Sequence, residues 1–298
     1  MIKPATTLRH ALQDPEITIA PGVYDAFTAL MAEQAGFRTL YLSGASIAYM
    51  RLGVPDIGLV GMNEVAGVLS TIRERISVPL IVDADTGYGN ALNVMRTVRL
   101  FERLGASAIQ LEDQTMPKRC GHLDGKELVA CGEMVGKIKM AVETRESDDL
   151  LIIARTDAIA SEGLDAALER AMHYRDAGAD VLFVEAPRSV AEMEKIVAQL
   201  DGTVHLMANM VEGGKTPSLE AETLQELGFS LVIFPGGLAR ALVHMATDYF
   251  ASLKEHGSTA PFQNRMVPFD ELNRVLGTER FLLAGARFDA ENFGDDTV

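Results

Sequence analysis

Positive charge is scarce in this sequence: 27 Lys and Arg stand against 42 Asp and Glu, a formal net charge of −15. That deficit excludes a nucleic-acid surface, because affinity for a phosphate backbone needs clustered Lys and Arg. The expected partner is a small molecule. If it is anionic, its site must gather local positive charge, from a metal or a few arginines, against an unfavourable global field. Cysteine is scarcer still. Cys120 and Cys131 are the only two, too few for a disulfide framework in a chain this long, and they fit a reducing cytoplasm. No stretch supplies the roughly 18 uninterrupted apolar residues of a membrane span, and the opening MIKPATTLRHALQDPEI has no long apolar segment. The protein is expected to be neither exported nor membrane-embedded. A His/Cys ligand cluster is missing, which argues against structural zinc. So is a full glycine-rich dinucleotide loop: the nearest approach, GYGN at Gly87, follows the third strand candidate rather than the first and lacks the pattern.

What is present is a large core in regular pieces. With 48% hydrophobic and 23% charged residues the chain has a globular composition. Eight short apolar runs read as strands: ITIAPG from Ile17, TLYLSG from Thr39, PLIVDAD from Pro79, SAIQLED from Ser107, LLIIARTD from Leu150, DVLFVEA from Asp180, VHLMAN from Val204 and SLVIFP from Ser230. Most show no alternation, as strands buried on both faces of a parallel sheet do. Helical periodicity lies between them, at Asp25 to Ala35, Leu92 to Leu104, Leu164 to Ala177, Val190 to Leu200 and Leu219 to Leu227. Four of these helices end alike, at AGF, LGA, AGA and LGF, with a glycine at the stop just before a strand. Eight such units predict an α/β fold, a closed (β/α)₈ barrel of one domain over residues 1–298. Further helical pattern, from Leu238 to Leu253 and around Phe269 to Ala284, exceeds what a barrel needs. Residues 255–298 are read as a helical extension, packed on the barrel or on a neighbouring subunit, with a polar tail, ENFGDDTV, expected to fray.

A parallel barrel brings the C-terminal ends of its strands to one mouth, so the polar residues there are the candidate site. Asp83 and Asp85 end the third strand and share one side of an extended chain. Glu112 and Asp113 close the fourth, Glu185 the sixth, and Asp56 lies after the second. Repulsion among these acids needs relief by a cation or by protonation, and hard oxygen ligands favour Mg²⁺ or Mn²⁺. Caps of helix N-termini and rim ion pairs are the structural alternative for any one of them. The segment KRCGHLDGK, Lys118 to Lys126, sets cations and an imidazole around a thiol. Lys118, Arg119 and His122 are expected to lower the Cys120 pKa and fit it for proton exchange with a carbon acid, while Cys131 reads as structural. Arg155 can fork a carboxylate or pair with Glu185. Asn209 can donate to a carboxylate or cap a turn. Ser43 and Gly44 allow close approach of a ligand, and Tyr41 suits either a ligand or the core.

These landmarks, in the order YLSG at Tyr41, PDIG at Pro55, DADTGYGN at Asp83, LEDQ at Leu111, KRCGH at Lys118, IARTDA at Ile153, FVEAP at Phe183 and ANMVEGGKTP at Ala208, resemble the isocitrate lyase and phosphoenolpyruvate mutase superfamily. The likeness runs from Ala20 to about Arg240, and KRCGH points to its carbon–carbon lyase branch. The resemblance implies Asp83 and Asp85 at a Mg²⁺ site, with Glu112 near its water shell. It implies Ser43, Gly44, Ala45, Asp56, Gly121, Arg155, Glu185, Asn209 and Arg240 around substrate, and Cys120 as the acid, with Lys118 and His122 beside it and Tyr41 a candidate base. The activity implied is retro-aldol cleavage of a substituted 2-hydroxy dicarboxylate, of the 2,3-dimethylmalate type, to pyruvate and a second carboxylate. Cleavage of 2-methylisocitrate, hydrolysis or decarboxylation of oxaloacetate, and noncatalytic metabolite binding are the alternatives. Counting forward from Gly257 puts Phe269 where members acting on the tricarboxylate carry an arginine, which favours a methyl-bearing dicarboxylate. A homo-oligomer is implied as well, a tetramer built as a dimer of dimers with helices exchanged between subunits.

Overall fold

The computed structural model describes residues 4–123, 125–200, 202 and 204–289. Asp124 of the cysteine loop and the acidic tail expected to fray lie outside the described residues. In chain order the strands are β1 (Thr18–Val23), β2 (Leu40–Leu42), β3 (Leu80–Asp83), β4 (Ala108–Glu112), β5 (Leu151–Thr156), β6 (Val181–Val184), β7 (His205–Asn209) and β8 (Leu231–Phe234). They pair in parallel in that order, and β8 pairs back onto β1, which closes the barrel. The helices are α1 (Pro4–Gln13), α2 (Ala26–Gln34), the single turn α3 (Gly44–Ile47), α4 (Met62–Arg73), α5 (Ala91–Arg103), α6 (Cys131–Thr144), α7 (Leu164–Asp176), α8 (Val190–Leu200), α9 (Ala221–Leu227), α10 (Gly237–His256), α11 (Phe269–Leu276) and α12 (Thr278–Ala286). No helix among the described residues is long and apolar enough to cross a membrane.

The missing alternation in the strands now has its cause. Ala20, Tyr41, Ile81, Ala108, Ile153, Phe183, Met207 and Ile233 pack together inside the barrel. Their neighbours Leu42, Val82, Ile109, Ala154, Leu182, Ala208 and Val232 belong to a second cluster under the helices. Both faces are buried, so both must be apolar. The glycine stops also hold: Gly36, Gly105, Gly178 and Gly228 each follow a helix with φ between 91° and 108°, a region a β-carbon disfavours.

Two features lie outside the sequence expectations. The first is α1, whose Leu8 and Leu12 are 0% and 3% exposed and join the interior cluster. Arg9 fixes it with an ion pair to Asp180 at 3.0 Å. The second is the break of the last helical stretch at Gly277, which takes φ +75° between α11 and α12. The chain forms two compact units, Met1–Arg240 and Ala241–Val298. The first carries the barrel and every residue proposed for the mouth. Within the second, Tyr249 meets Phe262 edge-to-face at 5.4 Å, and Phe269, the first residue of α11, is 82% exposed.

Phe101 of α5 is fully buried and meets the ring of Tyr88 edge-to-face at 6.3 Å. Phe101→Ala is therefore expected to destabilise the barrel by about 3–5 kcal/mol. Leu92→Ala, on the exposed side of the same helix, should stay within about 0.5 kcal/mol. Urea denaturation followed by circular dichroism compares the two.

Candidate active site

Strand register decides which side chains reach the mouth. Successive residues alternate between faces, so below the inward Ile81, Ala108, Ile153, Phe183 and Met207 the next inward positions are Asp83, Gln110 and then Glu112, Arg155, Glu185 and Asn209. Glu112 is directly opposite Arg155 across β4 and β5, and Asp83 opposite Gln110 across β3 and β4. All are buried. The loops after these strands carry the remaining groups, and three non-glycine residues take left-handed backbone there: Asp85 (φ 46°), Tyr88 (φ 61°) and Ala186 (φ 59°). Strain of this kind costs about 1–3 kcal/mol and is held where surrounding structure enforces a site.

Asp56, Asp83, Asp85, Glu112, Asp157 and Glu185 are buried at this mouth with Lys118, Lys126 and Arg155 as the buried cations. Negative charge is in excess. Burial pushes the Glu112 carboxyl well up, and it pushes Asp85 up to about 7 in spite of Lys118, with Asp83 and Asp56 adding to the rise. Asp83 is held by Gly44 N–H at 3.3 Å, by Gln110 Nε2 at 3.3 Å and by the Asp85 N–H at 3.2 Å. Asp85 Oδ1 has an ion-pair contact with Lys118 Nζ at 2.7 Å but no aligned hydrogen bond, and Glu112 Oε1 and the Tyr88 hydroxyl are buried without any. The orphaned Glu112 oxygen, in a site short of positive charge, fits a hard divalent cation. Among the described residues no group of three or more Asp, Glu, His or Cys side chains is arranged to hold a metal ion by itself.

The cysteine loop lies across this mouth. Lys118 Nζ reaches Asp56 at 2.5 Å and Asp85 at 2.7 Å. Burial alone would lower its pKa, but Asp85, Glu112, Asp56 and Asp83 hold it well above the ordinary lysine value. Asp56 is thereby committed to the loop, and its main-chain oxygen also accepts from Cys120 N–H at 3.1 Å. The expectation of an acidified Cys120 is corrected: burial raises the thiol pKa, Asp56 adds to the rise, and the His122 main-chain N–H opposes it. The Lys118 ammonium is turned to its two carboxylates, and the Arg119 main chain is bound to the Gln114 side chain. His122 does not face the thiol. Its Nδ1 accepts from Lys215 N–H at 3.0 Å and its Nε2 faces Glu185 Oε1 at 3.4 Å, and burial lowers its pKa, so the ring is neutral.

Arg155 forks Asp157 rather than Glu185: Nε to Oδ2 at 2.9 Å and Nη2 to Oδ1 at 3.0 Å. Its other contacts, to Glu112 at 3.4 Å and Glu185 at 3.6 Å, are longer, and it lies over the Phe183 ring at 5.2 Å. Asn209 donates to both Glu185 oxygens at 3.2 and 3.3 Å. Tyr41 does not have the character of a base: its hydroxyl donates to Gln110 Oε1 at 3.0 Å, and burial, with Asp83, holds its pKa well above 10. Ser43 caps α3 through Ser46 N–H at 3.2 Å, with Gly44 and Ala45 following in that turn. Gly121 lies on Arg155 and Glu185, where a β-carbon would collide with both. Arg240 alone of these residues is on the rim, its side chain 55% exposed and paired with Glu212 at 3.2 Å. Sequence reading gave no role to Gln110, Lys126 or Asp157. A glutamine inside a buried apolar strand was the one available signal for the first.

Converging strand-end acids, a forked arginine and a looped thiol define a (β/α)₈-barrel enzyme with its reacting groups at the C-terminal mouth. Residues 8–254 match the phosphoenolpyruvate phosphomutase family. The chain is 44% identical over 276 residues to 2,3-dimethylmalate lyase of Eubacterium barkeri, covering 93% of this chain and 95% of that one. It is 44% identical over 275 residues to 2-methylisocitrate lyase of Aeropyrum pernix, covering 92% and 88%. A crystal structure of 2,3-dimethylmalate lyase superposes with a TM-score of 0.91 at 38% identity, covering 100% and 99%. That of a phosphonopyruvate hydrolase complexed with oxalate and Mg²⁺ gives 0.87 at 31%, covering 96% and 99%. The chain belongs to the phosphoenolpyruvate mutase/isocitrate lyase superfamily and is a carbon–carbon lyase within it.

The raised Asp85 value sets a pH dependence. A carboxyl whose folded pKa of about 7 exceeds its ordinary 3.8 contributes stability that is present in full below the unfolded value and lost as pH rises through the folded one. Without divalent cations the melting temperature should therefore fall between about pH 5 and 7.5, and Asp85→Asn should flatten that fall. Added Mg²⁺ should raise the wild-type melting temperature more at the higher pH, because its ligands must be deprotonated. Equal Mg²⁺ shifts at both pH values would refute the assignment.

Proposed function

We propose that the protein cleaves a methyl-substituted 2-hydroxy dicarboxylate of the 2,3-dimethylmalate type into pyruvate and a second carboxylate. The observation that carries this reading is a half-buried thiol, Cys120, on a loop that rests against the guanidinium of Arg155 beside carboxylates short of a cation. Asp83, Asp85 and Glu112 would hold Mg²⁺ or Mn²⁺, which would supply Lewis-acid charge for the oxygen that becomes the ketone. Support for the ion comes from the orphaned Glu112 oxygen and from the Mg²⁺ in the related hydrolase.

In this reading Arg155 binds and orients the substrate carboxylate, and Gly44, Ala45 and Gly121 let backbone approach it closely. The hydroxyl proton leaves to solvent as that oxygen becomes the ketone and the C2–C3 bond breaks, and solvent later returns a proton to the Cys120 thiolate. The electron pair passes to C3, where the neighbouring carboxylate spreads it, and the Cys120 S–H delivers its proton there. A thiol kept protonated by burial suits a general acid in this direction. Tyr41 keeps its proton and, through Gln110, orients Asp83. Glu185, fixed by Asn209 and facing His122, shapes the far wall.

Cys120→Ser should bind substrate but turn over about 10²- to 10⁴-fold more slowly, the range that general acids contribute, whereas Cys131→Ser should be near wild type. Pyruvate release coupled to lactate dehydrogenase measures both. Propionate as co-product of 2,3-dimethylmalate, rather than succinate from 2-methylisocitrate, identifies the preferred substrate. Near-normal turnover by Cys120→Ser would remove the thiol from the mechanism.

We also propose that the protein assembles as a homo-oligomer, a dimer of dimers with helices exchanged. Val243, Phe250, Phe281, Leu282 and Leu283 are exposed in the second unit, an apolar surface of the kind subunit contacts cover. Light scattering should give a multiple of the chain mass, and a monomer at micromolar concentration would overturn this.

A further inference from the structure

Asp157 takes no part in the chemistry above, yet it is fully buried and engaged on every side. One of its oxygens accepts from Arg155 Nε at 2.9 Å; the other accepts from Arg155 Nη2 at 3.0 Å and from Lys126 Nζ at 2.9 Å. The same Lys126 ammonium donates to the main-chain carbonyl of Gly121, next to Cys120. From the opposite side Gly121 lies against Arg155 and Glu185 with no room for a β-carbon. Asp157 is itself anchored: its N–H donates at 2.9 Å to Asp113, a buried carboxylate that also accepts from Thr156 Oγ1 at 2.7 Å and Tyr174 OH at 2.8 Å. Burial would raise the Asp157 pKa, but Arg155 and Lys126 outweigh it and bring the group down to about 2, so the carboxylate is charged throughout the neutral range.

We propose that Asp157 and Lys126 are positioning residues that fix the separation between the substrate-binding guanidinium of Arg155 and the proton-delivering thiol of Cys120, by tying both to one carboxylate. The inference rests on the roles given to Arg155 and Cys120 above. The two ties differ in what they hold. Lys126 secures the loop alone, whereas Asp157 secures both loop and guanidinium.

In a Cys131→Ser background, the rate of Cys120 alkylation by iodoacetamide reads the loop directly, and kcat and KM on 2,3-dimethylmalate with Mg²⁺ read its consequence. Lys126→Met should be alkylated several times faster and lose about 10- to 100-fold in kcat, the scale of an ångström-sized misplacement, with KM little changed. Asp157→Asn should lose kcat and also raise KM, because Arg155 is released too. Lys126→Arg should return the alkylation rate towards wild type. The double variant should lose no more kcat than Asp157→Asn, as for residues acting in one chain. Alkylation of Lys126→Met at the wild-type rate, or fully additive losses in the double variant, would overturn the proposal. Lys126→Met leaves the Arg155–Asp157 fork intact, so it carries the test if Asp157→Asn does not fold. If the wild type does not cleave 2,3-dimethylmalate, the substrate reading fails, while the alkylation rates still decide this one.

Discussion

Too many carboxylates at one end of a barrel, away from water, is the constraint to which the mouth is a response. Like charges in a low-dielectric setting disfavour ionisation, and here the cost is relieved from two directions. Arg155 reaches from the end of β5 between Asp157, Glu112 and Glu185. The cysteine loop comes down from above carrying a lysine near each end, Lys118 onto Asp56 and Asp85 and Lys126 onto Asp157. Charge neutralisation and placement of the thiol are thus one event: the loop that compensates the acids is the loop that bears Cys120. What it leaves without a hydrogen bond is one buried oxygen of Glu112.

The same arithmetic explains why the thiol is less acidic than its sequence neighbours imply. Burial is the main cause, and the Lys118 ammonium is held by Asp56 and Asp85 in place of the sulfur. The consequence for proton transfer is favourable in the cleavage direction, in which a donor must arrive with its proton.

The fold was largely legible because its signals are local. All eight strands fall on the apolar runs read from the sequence, and each glycine stop is a conformational requirement satisfied within a few residues. Strand-end acids could be placed at the mouth because alternation and parallel closure together dictate it. Other features depend on contacts between segments far apart in the chain and leave no short-range trace. Asp157 and Lys126 are 31 residues apart, and neither stands out alone. Arg155 was read beside Glu185, but the carboxylate two residues along its own strand end holds it more closely. The role of α1 was hidden for the same reason: two leucines in a polar segment look unremarkable until the open end of a barrel is placed over them.

That last arrangement dictates an order of assembly. Leu8 and Leu12 pack with Leu231 and Ile233, so a helix that precedes the first strand makes contacts with the last strand of the barrel. Contacts of such separation come late, because the intervening chain must be ordered before they are rewarded. The residues that α1 covers, Leu231 and Ile233, lie on the strand that closes the barrel against β1, so sealing the floor depends on that pairing. The floor of this barrel is thus closed by its two most distant segments at once, and a change at Leu8 or Leu12 would be felt on the seam between β8 and β1.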